Sequence, residues 1–350
     1  MKVCSSNYSI SVLLPIRNEE LYIKNSILSI VNNNIFNKNM ELIVIDGKST
    51  DLTVEIVNKI INENKDINIK LLDNPGRIVS TGMNLGIKVA RGEFIVRIDS
   101  HSTYPKLYLM NLVQFMIELN ADNVGGCVET KPMDSTIKSL AISESLSTSF
   151  SVGNSLFRTL KKGKPIEVDT VPFGCYRKKI FNRIGLYDED LVRNQDDELN
   201  ARLKQDHGKI FLIPNIRIKY YARDSYVKLF SMFYQYGYFK PLVNMKLKHP
   251  ATFRQFVPLM FVVYLFSGFY LSMVYIDLGR VFVLGLMIYL FSSFFVSCNI
   301  TRFRYSPFLI LHLMASFFLI HFSYGLGYII GIVNFLIFRK MVNKRINLSR

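Results

Sequence analysis

The sequence predicts an α/β protein, a mainly parallel sheet with flanking helices, followed by helices that cross a membrane. Three observations predict it. Short apolar runs alternate with helix-length segments through the first hundred or so residues. Acidic residues stand at the carboxyl ends of two of those runs, Asp46 in VIDGKSTD and Asp99 in VRIDSH. After about residue 256 the chain is mostly apolar and aromatic, whereas residues 1–250 have the mixed composition of a soluble domain.

SISVLLP (9–15) is short, continuous and apolar, as a strand buried on both faces is. Residues 19–33 carry Leu21, Ile27, Leu28, Ile30 and Val31 at helical spacing. MELIVID (40–46) is a second buried strand, and Asp51 is placed to cap the helix that follows. INIKLLD (67–73), a helix over 78–90 and EFIVRID (93–99) continue the alternation. A helix is expected from after Pro105 to about 119, then a strand near 122–129. The polar, Ser- and Lys-rich stretch 130–168 reads as loop or helix. TVPFGCYRK (170–178) reads as a strand, DDELNARLKQDHG (196–208) as a helix ended by Gly208, and KIFLI (209–213) as a short strand stopped by Pro214.

Residues 224–248 mix Tyr and Phe with Lys beside an apolar segment, the pattern of an interfacial amphipathic helix. The alternative is a helix facing the core of the soluble part. Residues 257–275 and 281–298 are each long enough to span a bilayer once. Residues 307–338 are long for one span and short for two. TRFR (301–304) and RKMVNKR (339–345) are basic and belong on the cytosolic side, which favours a hairpin for the last stretch. One long span is the rival. The expected organisation is a cytosolic domain over 1–222, interfacial helices over 223–255, three or four membrane helices over 256–338 and a basic cytosolic tail over 339–350.

The net charge of +16 fits an anionic membrane surface and a phosphorylated substrate. Nucleic acid is excluded as a partner on motif grounds, since no recognised DNA- or RNA-binding pattern is present. The four cysteines form no Cys-x-x-Cys pair, which argues against a zinc site or disulfide framework. The first apolar run is strand length and meets charge at Arg17, so no cleavable signal peptide is expected.

Four blocks carry a resemblance: LLPIRNE (13–19), VIDGKSTD (44–51), GMNLGIKVARGEFIVRIDSH (82–101) and DTVPFGCYRKKIFNRIGLYDEDLVRNQDDELNAR (169–202). Together, over about residues 9–240, they resemble the family 2 inverting glycosyltransferases of GT-A fold. The nearest likeness is to the succinoglycan-type exopolysaccharide glucosyltransferases, with their RIDSH-like and VRNQDDELN-like blocks and apolar tail.

The resemblance implies a nucleotide-sugar site. Asp46 matches the aspartate that reads the base, usually uracil, by accepting its imide N–H. Pro15, Arg17, Glu19, Arg77 and Asn84 match stretches along the nucleotide. Asp99 matches the first acid of the Asp-x-Asp motif that holds a divalent metal against the diphosphate. The third position is His101, whose imidazole suits Mn2+ better than Mg2+. It meets the metal directly, through water, or serves only the fold. Asp196 matches the general base, with Asp197 the rival should the register slip by one. Gln195 replaces the family's usual Glu. Arg193, just upstream, is placed to contact the diphosphate or to orient Asp196. Gln235 stands where polysaccharide synthases carry Gln-x-x-Arg-Trp, but the Arg is missing and the chain has no Trp. That departure argues for transfer of single sugars.

Bland roles compete with these. Asp46 could cap a turn, Glu19 could be a first-turn helix charge, and Arg77 and Asn84 a solvated helix start. Asp196 and Asp197 could serve only the helix dipole. The implied partners are a UDP-sugar, first UDP-glucose, a lipid-linked glycan acceptor and the inner membrane. Rival readings are a polyprenyl-phosphate glycosyltransferase, a non-catalytic membrane scaffold of the same fold and, less in keeping with so few intramembrane charges, a transporter.

Overall fold

The computed structural model describes residues 8–32, 36–250, 252–302 and 307–339. The chain divides into two compact units, Met1–Glu129 with Leu160–Tyr220, and Thr130–Thr159 with Tyr221–Arg350.

The first unit opens with β1 (Ile10–Ile16), α1 (Ile23–Val31), β2 (Met40–Asp46), α2 (Thr53–Glu63), β3 (Ile69–Asp73), α3 (Val79–Val89) and β4 (Phe94–Arg97). Every residue of β1, β2 and β4 is buried, which is why these strands read as unbroken runs rather than alternations. The four strands pair in parallel in the order β3-β2-β1-β4. Gly86 lets α3 lie close on the sheet, because a Cβ there would press on Ile45 and Leu13.

The chain continues through β5 (Ser102–Thr103), α4 (Tyr108–Glu118) and β6 (Asn123–Lys131), then through α5 (Ile137–Ser145), α6 (Ser149–Val152) and α7 (Leu156–Thr159) of the second unit. It returns as β7 (Ile166–Glu167), β8 (Cys175–Arg177), α8 (Ile180–Ile184), α9 (Gln195–Gln205) and β9 (Ile210–Tyr221). The added strands extend the sheet as β4-β8-β6-β9-β5, and β7 pairs with β9. β8 runs antiparallel to β4 and β6, and β9 antiparallel to β5 and β7, so the sheet is mixed.

Two strands differ most in length from expectation. β8 keeps only Cys175–Arg177, because Pro172 and the left-handed Phe173 (φ 49°) interrupt the extended run before it. β9 passes through Pro214 to Tyr221. Its register with β7 ends at Leu212 and that with β5 involves Lys219 and Tyr220, so Pro214, which has no N–H, falls between the two ladders.

The second unit is helical. α10 (Tyr226–Leu247), α11 (Phe256–Val274), α12 (Ile276–Thr301) and α13 (Pro307–Gly331) follow one another, and α13 runs on as a π-helical turn over Ile332–Ile337. Among the described residues three helices are long and apolar enough to cross a membrane, Phe253–Val274, Ile276–Thr301 and Pro307–Ile337. The last stretch is therefore one helix and not a hairpin. Its glycines are contacts rather than bends. A Cβ at Gly327 would collide with the Tyr234 carbonyl of α10, and one at Gly325 with the Pro258 carbonyl of α11, the close approach that small residues permit between apolar helices. α10 thus packs lengthwise on α13, with Leu229, Phe233, Gly237 and Val243 buried. Residues 130–159 of the stretch 130–168, expected as loop or helix, also belong here and carry α5, α6 and α7. Ala141 packs with Leu309, Leu313 and Phe317, and the Phe150 carbonyl lies 2.9 Å from His321 Nε2. Residues 303 and 304 of the basic connector and 340–350 of the tail lie outside the described residues.

Candidate active site

β2, β1 and β4 lie side by side. At about 4.8 Å per strand, the ends of β2 and β4 stand roughly 10 Å apart across β1. Asp46 is the last residue of β2, and Asp99 follows β4 by two residues. The first turn of α9 carries Asp196, so the elements behind all three expected carboxylates belong to one unit.

The loops at this edge are tightly drawn. Asn18, Lys48, Arg77 and Asn194 are all left-handed, with φ of 54°, 63°, 61° and 61°. Such strain concentrates where surrounding structure must hold a site. The β1–α1 and β2–α2 loops are stitched together: Asn18 N–H donates to Ser49 Oγ at 2.9 Å, and Thr50 N–H donates to Asn18 Oδ1 at 2.8 Å. Asp46, 7% exposed, accepts from Ser49 Oγ at 2.6 Å and from Ser49 N–H at 3.1 Å. Its carboxylate caps this turn and retains acceptor capacity beyond it. Asp51 does not cap α2 at its N-cap residue; it accepts from Thr53 and from Glu20 N–H, joining the same two loops.

Asp196 is fixed by a residue that sequence reasoning did not single out. Arg97, the last residue of β4 and 7% exposed, donates through Nη1 to Asp196 Oδ2. Burial opposes the guanidinium charge, and the neighbouring Asp196 carboxylate more than offsets it. Burial pushes the Asp196 carboxyl above the ordinary aspartate value, Arg97 draws it back, and Asp197 and Asp99 add to the rise. Asp196 Oδ1 is buried with no hydrogen-bond partner among the described residues, so one face of this carboxylate is not committed to the fold. α9 itself is anchored by Arg202, which forks onto Glu198 and donates to the Ile184 and Leu186 carbonyls, and by Asn200, which accepts from Asn123 Nδ2 at 2.8 Å. The signal for Arg97 was present: one arginine in an otherwise apolar buried strand needs a partner.

Asp99 and His101 meet at the same edge. His101 Nδ1 lies 3.0 Å from Glu19 Oε2, and Nε2 lies 4.0 Å from Asp99 Oδ1. Glu19 is 1% exposed and His101 9%. Glu19 therefore faces the histidine. Among the described residues no three His, Cys, Asp or Glu side chains gather to hold an ion alone. One carboxylate oxygen and one imidazole nitrogen nevertheless suit a cation that takes its other ligands from a diphosphate and water. Asp99 and His101 are the residues that would hold it.

The remaining expected residues divide. Pro15 is buried in β1, Arg17 is half-buried, Arg77 is exposed on its left-handed turn, and Arg193 and Asp197 are half-buried flanks of Asp196. Asn84 is committed elsewhere: it donates to the Tyr187 carbonyl and to Glu189 Oε1, each at 2.9 Å, and accepts from Tyr187 N–H at 2.9 Å. Its amide ties α3 to the loop before α9. Gln235 lies in the second unit, on α10, with Nε2 3.4 Å from Ser231 Oγ.

Known proteins resemble this chain in sequence and in fold. The family model described as Glycosyl transferase family 2 matches residues 11–185. A dolichyl N-acetyl-alpha-D-glucosaminyl phosphate 3-beta-D-2,3-diacetamido-2,3-dideoxy-beta-D-glucuronosyltransferase of Methanococcus voltae is 30% identical over 68% of this chain and 74% of its own length. The succinoglycan biosynthesis protein ExoA of Rhizobium meliloti is 30% identical over 71% of this chain and 74% of its own. Among solved structures, the mannosyltransferase PcManGT of Pyrobaculum calidifontis, in complex with GDP-Man and Mn2+, superposes with a TM-score of 0.59 over 91% of this chain and 88% of that one, at 14% identity. The fold is therefore GT-A-like, and on the family match together with two relatives at this identity and coverage the chain belongs to glycosyl transferase family 2.

Proposed function

We propose that the chain is a membrane-bound inverting glycosyltransferase. It moves one sugar from a UDP-sugar, first UDP-glucose, to a lipid-linked glycan in exopolysaccharide or other surface glycan synthesis. The observation that carries this reading is Asp196: one oxygen is held by Arg97 and the other is uncommitted, on a carboxyl that burial makes more basic. A general base needs this combination of fixed orientation, an open lone pair and a raised proton affinity.

In this mechanism Asp46 accepts the imide N–H of the base, which favours uracil. Arg17, Arg77 and Arg193 offer positive charge along the diphosphate. Asp99 and His101 would hold a divalent cation, Mn2+ before Mg2+, which would neutralise charge on the leaving diphosphate. Asp196 takes the proton of the acceptor hydroxyl as that oxygen bonds to the anomeric carbon. The bond from that carbon to the diphosphate oxygen breaks on the opposite face, UDP leaves with the electron pair, and the configuration inverts. Asp197 is the alternative base one residue along.

The apolar helices give the enzyme access to an acceptor at the bilayer, with the sheet unit on the cytosolic side. The dolichyl-phosphate-linked sugar in the name of the Methanococcus voltae relative supports an acceptor that already carries a sugar. Loading of one sugar onto a polyprenyl monophosphate is the alternative, and product analysis separates the two. The chain has no Trp and lacks the Arg of the Gln-x-x-Arg-Trp motif after Gln235, which supports single-sugar transfer.

The test offers radiolabelled UDP-glucose, UDP-galactose and UDP-N-acetylglucosamine, with Mn2+ and a lipid extract, to the membrane-inserted protein. Metal-dependent labelling of lipid, absent in Asp196→Asn, with the anomeric configuration inverted in the product, is the expected result. Failure to bind any nucleotide sugar overturns the reading.

A further inference from the structure

We infer that Glu19 is a positioning residue for the cation: it orients His101 so that Nε2 and Asp99 Oδ1 grip the ion together. The inference rests on the cation site proposed above and assigns a task to a residue that the nucleotide reading placed elsewhere.

The argument begins with hydrogen-bond chemistry. An ionised carboxylate only accepts, so the 3.0 Å contact with Glu19 Oε2 puts the ring proton on His101 Nδ1. In the neutral imidazole the lone pair then sits on Nε2, on the side of Asp99. Nε2 and Asp99 Oδ1 are two electron-rich atoms facing each other across 4.0 Å, beyond hydrogen-bond length. Two ligands of one ion, each about 2.1 Å from it, lie between roughly 3 and 4 Å apart. The observed 4.0 Å stands at the wide end of that range, so the two atoms can share one cation with a small closure. A histidine that binds metal commonly donates its other N–H to a carboxylate, which fixes the tautomer and makes the ring a better donor.

The supports around the pair are fixed too. Glu19 N–H donates to Thr53 Oγ1 at 2.7 Å, and the Glu19 carbonyl accepts from Tyr22 and Ile23 at the start of α1. The Tyr22 ring meets the His101 ring edge-on at 5.4 Å and 89°. Asp99 N–H donates to Tyr104 Oη at 2.7 Å, and Ser26 Oγ donates to the Asp99 carbonyl at 3.1 Å. α1 therefore holds both halves of the site, the carboxylate through Glu19 and the Asp99 backbone through Ser26.

The experiment titrates Mn2+ into the full chain in detergent, following free Mn2+ by electron paramagnetic resonance, with and without UDP. Bound Mn2+ is then examined for magnetic coupling to an imidazole nitrogen, and UDP affinity is measured separately without metal. The inference expects nitrogen coupling that His101→Ala abolishes. It expects Mn2+ affinity to fall about 10- to 100-fold in Glu19→Gln, with metal-free UDP affinity unchanged. Adding Glu19→Gln to His101→Ala should cost nothing further. Glu19→Gln keeps the shape of the side chain, and its melting temperature checks that it folds.

In a chain that binds Mn2+, three results overturn the inference: no nitrogen coupling in the native protein, unchanged Mn2+ affinity in Glu19→Gln, or a loss of metal-free UDP binding in that variant, which would make Glu19 a nucleoside contact. A native chain that binds UDP but not Mn2+ overturns it while leaving the nucleotide-sugar reading in place. A chain that binds neither overturns both.

Discussion

The two edges of the parallel sheet carry buried carboxylates of opposite character. At the amino edge, Glu41 in β2 accepts from Ser11 Oγ, Arg91 N–H and Lys70 Nζ, each at 2.7 Å. Burial pushes its carboxyl up, but the hydrogen bonds from Lys70, Arg91 and Ser11 more than reverse this, and it sits below the ordinary glutamate value. At the carboxyl edge, Asp196 has Arg97 on one oxygen, no hydrogen-bond partner among the described residues on the other, and a carboxyl held above its ordinary value. The difference teaches which charges serve the fold. A structural carboxylate has its lone pairs used and is stabilised as an anion. A carboxylate poised for chemistry keeps one lone pair open and pays for that in desolvation.

The contrast breaks most sharply on activity. On the proposed mechanism Asp196→Asn should lower kcat by about 10²–10⁴-fold, with UDP affinity within a few fold, because a base of that kind acts only in the chemical step. Glu41→Gln should leave kcat within a few fold. Equal losses of rate in the two variants would erase the distinction between the edges.

Stability gives the next largest effect. Arg97→Met leaves the half-buried Asp196 beside no cation, and breaking a fully buried pair costs about 3–5 kcal/mol. Asp196 keeps 29% of its side chain exposed, so the loss should lie near the lower figure. Adding Asp196→Asn to Arg97→Met should recover most of it, as read by thermal or denaturant unfolding in detergent. Glu41→Gln should cost less, about 1–3 kcal/mol, the price of weakening one buried acceptor among intact donors. If Arg97→Met proves no worse than Glu41→Gln, the ion pair is not what holds Asp196.

How much of this was legible follows from the same physics. β1, β2 and β4 were readable because strands buried on both faces have no polar alternation to blur them. Asp46 and Asp99 were readable because they end such runs. The course of β9 past Pro214 was not, since whether a missing N–H matters depends on which ladder reaches it. The continuous last helix was hidden because Gly325 and Gly327 look alike as a bend and as a backbone contact. Asn84 and Glu19 were singled out by their motifs, but the partners of Asn84, Tyr187 and Glu189, lie about 100 residues away, and the partner of Glu19, His101, about 80. Local pattern does not encode such pairings.

The smallest effect is also the cleanest discriminator, because its sign differs between the edges. Glu41 has a folded-state pKa below the ordinary 4.5, so the folded state favours its anion. Its contribution to stability is full above the unfolded value and is lost as pH falls through the folded value. Asp196 has a folded-state pKa above the ordinary 3.8, so the folded state favours its proton. Its contribution is full below the unfolded value and is lost as pH rises through the folded one. On acidification across this range Glu41 therefore destabilises the fold while Asp196 opposes that loss. Relative to the native chain, Glu41→Gln should flatten the fall of the unfolding midpoint at low pH, and Asp196→Asn should steepen it. On the proposed mechanism the same raised value should set the acid limb of catalysis, with activity growing as Asp196 loses its proton and beginning above the ordinary aspartate range. Midpoints that shift in the same direction in both variants would show that Asp196 is held as an anion like Glu41, and would take from it the proton affinity that the base requires.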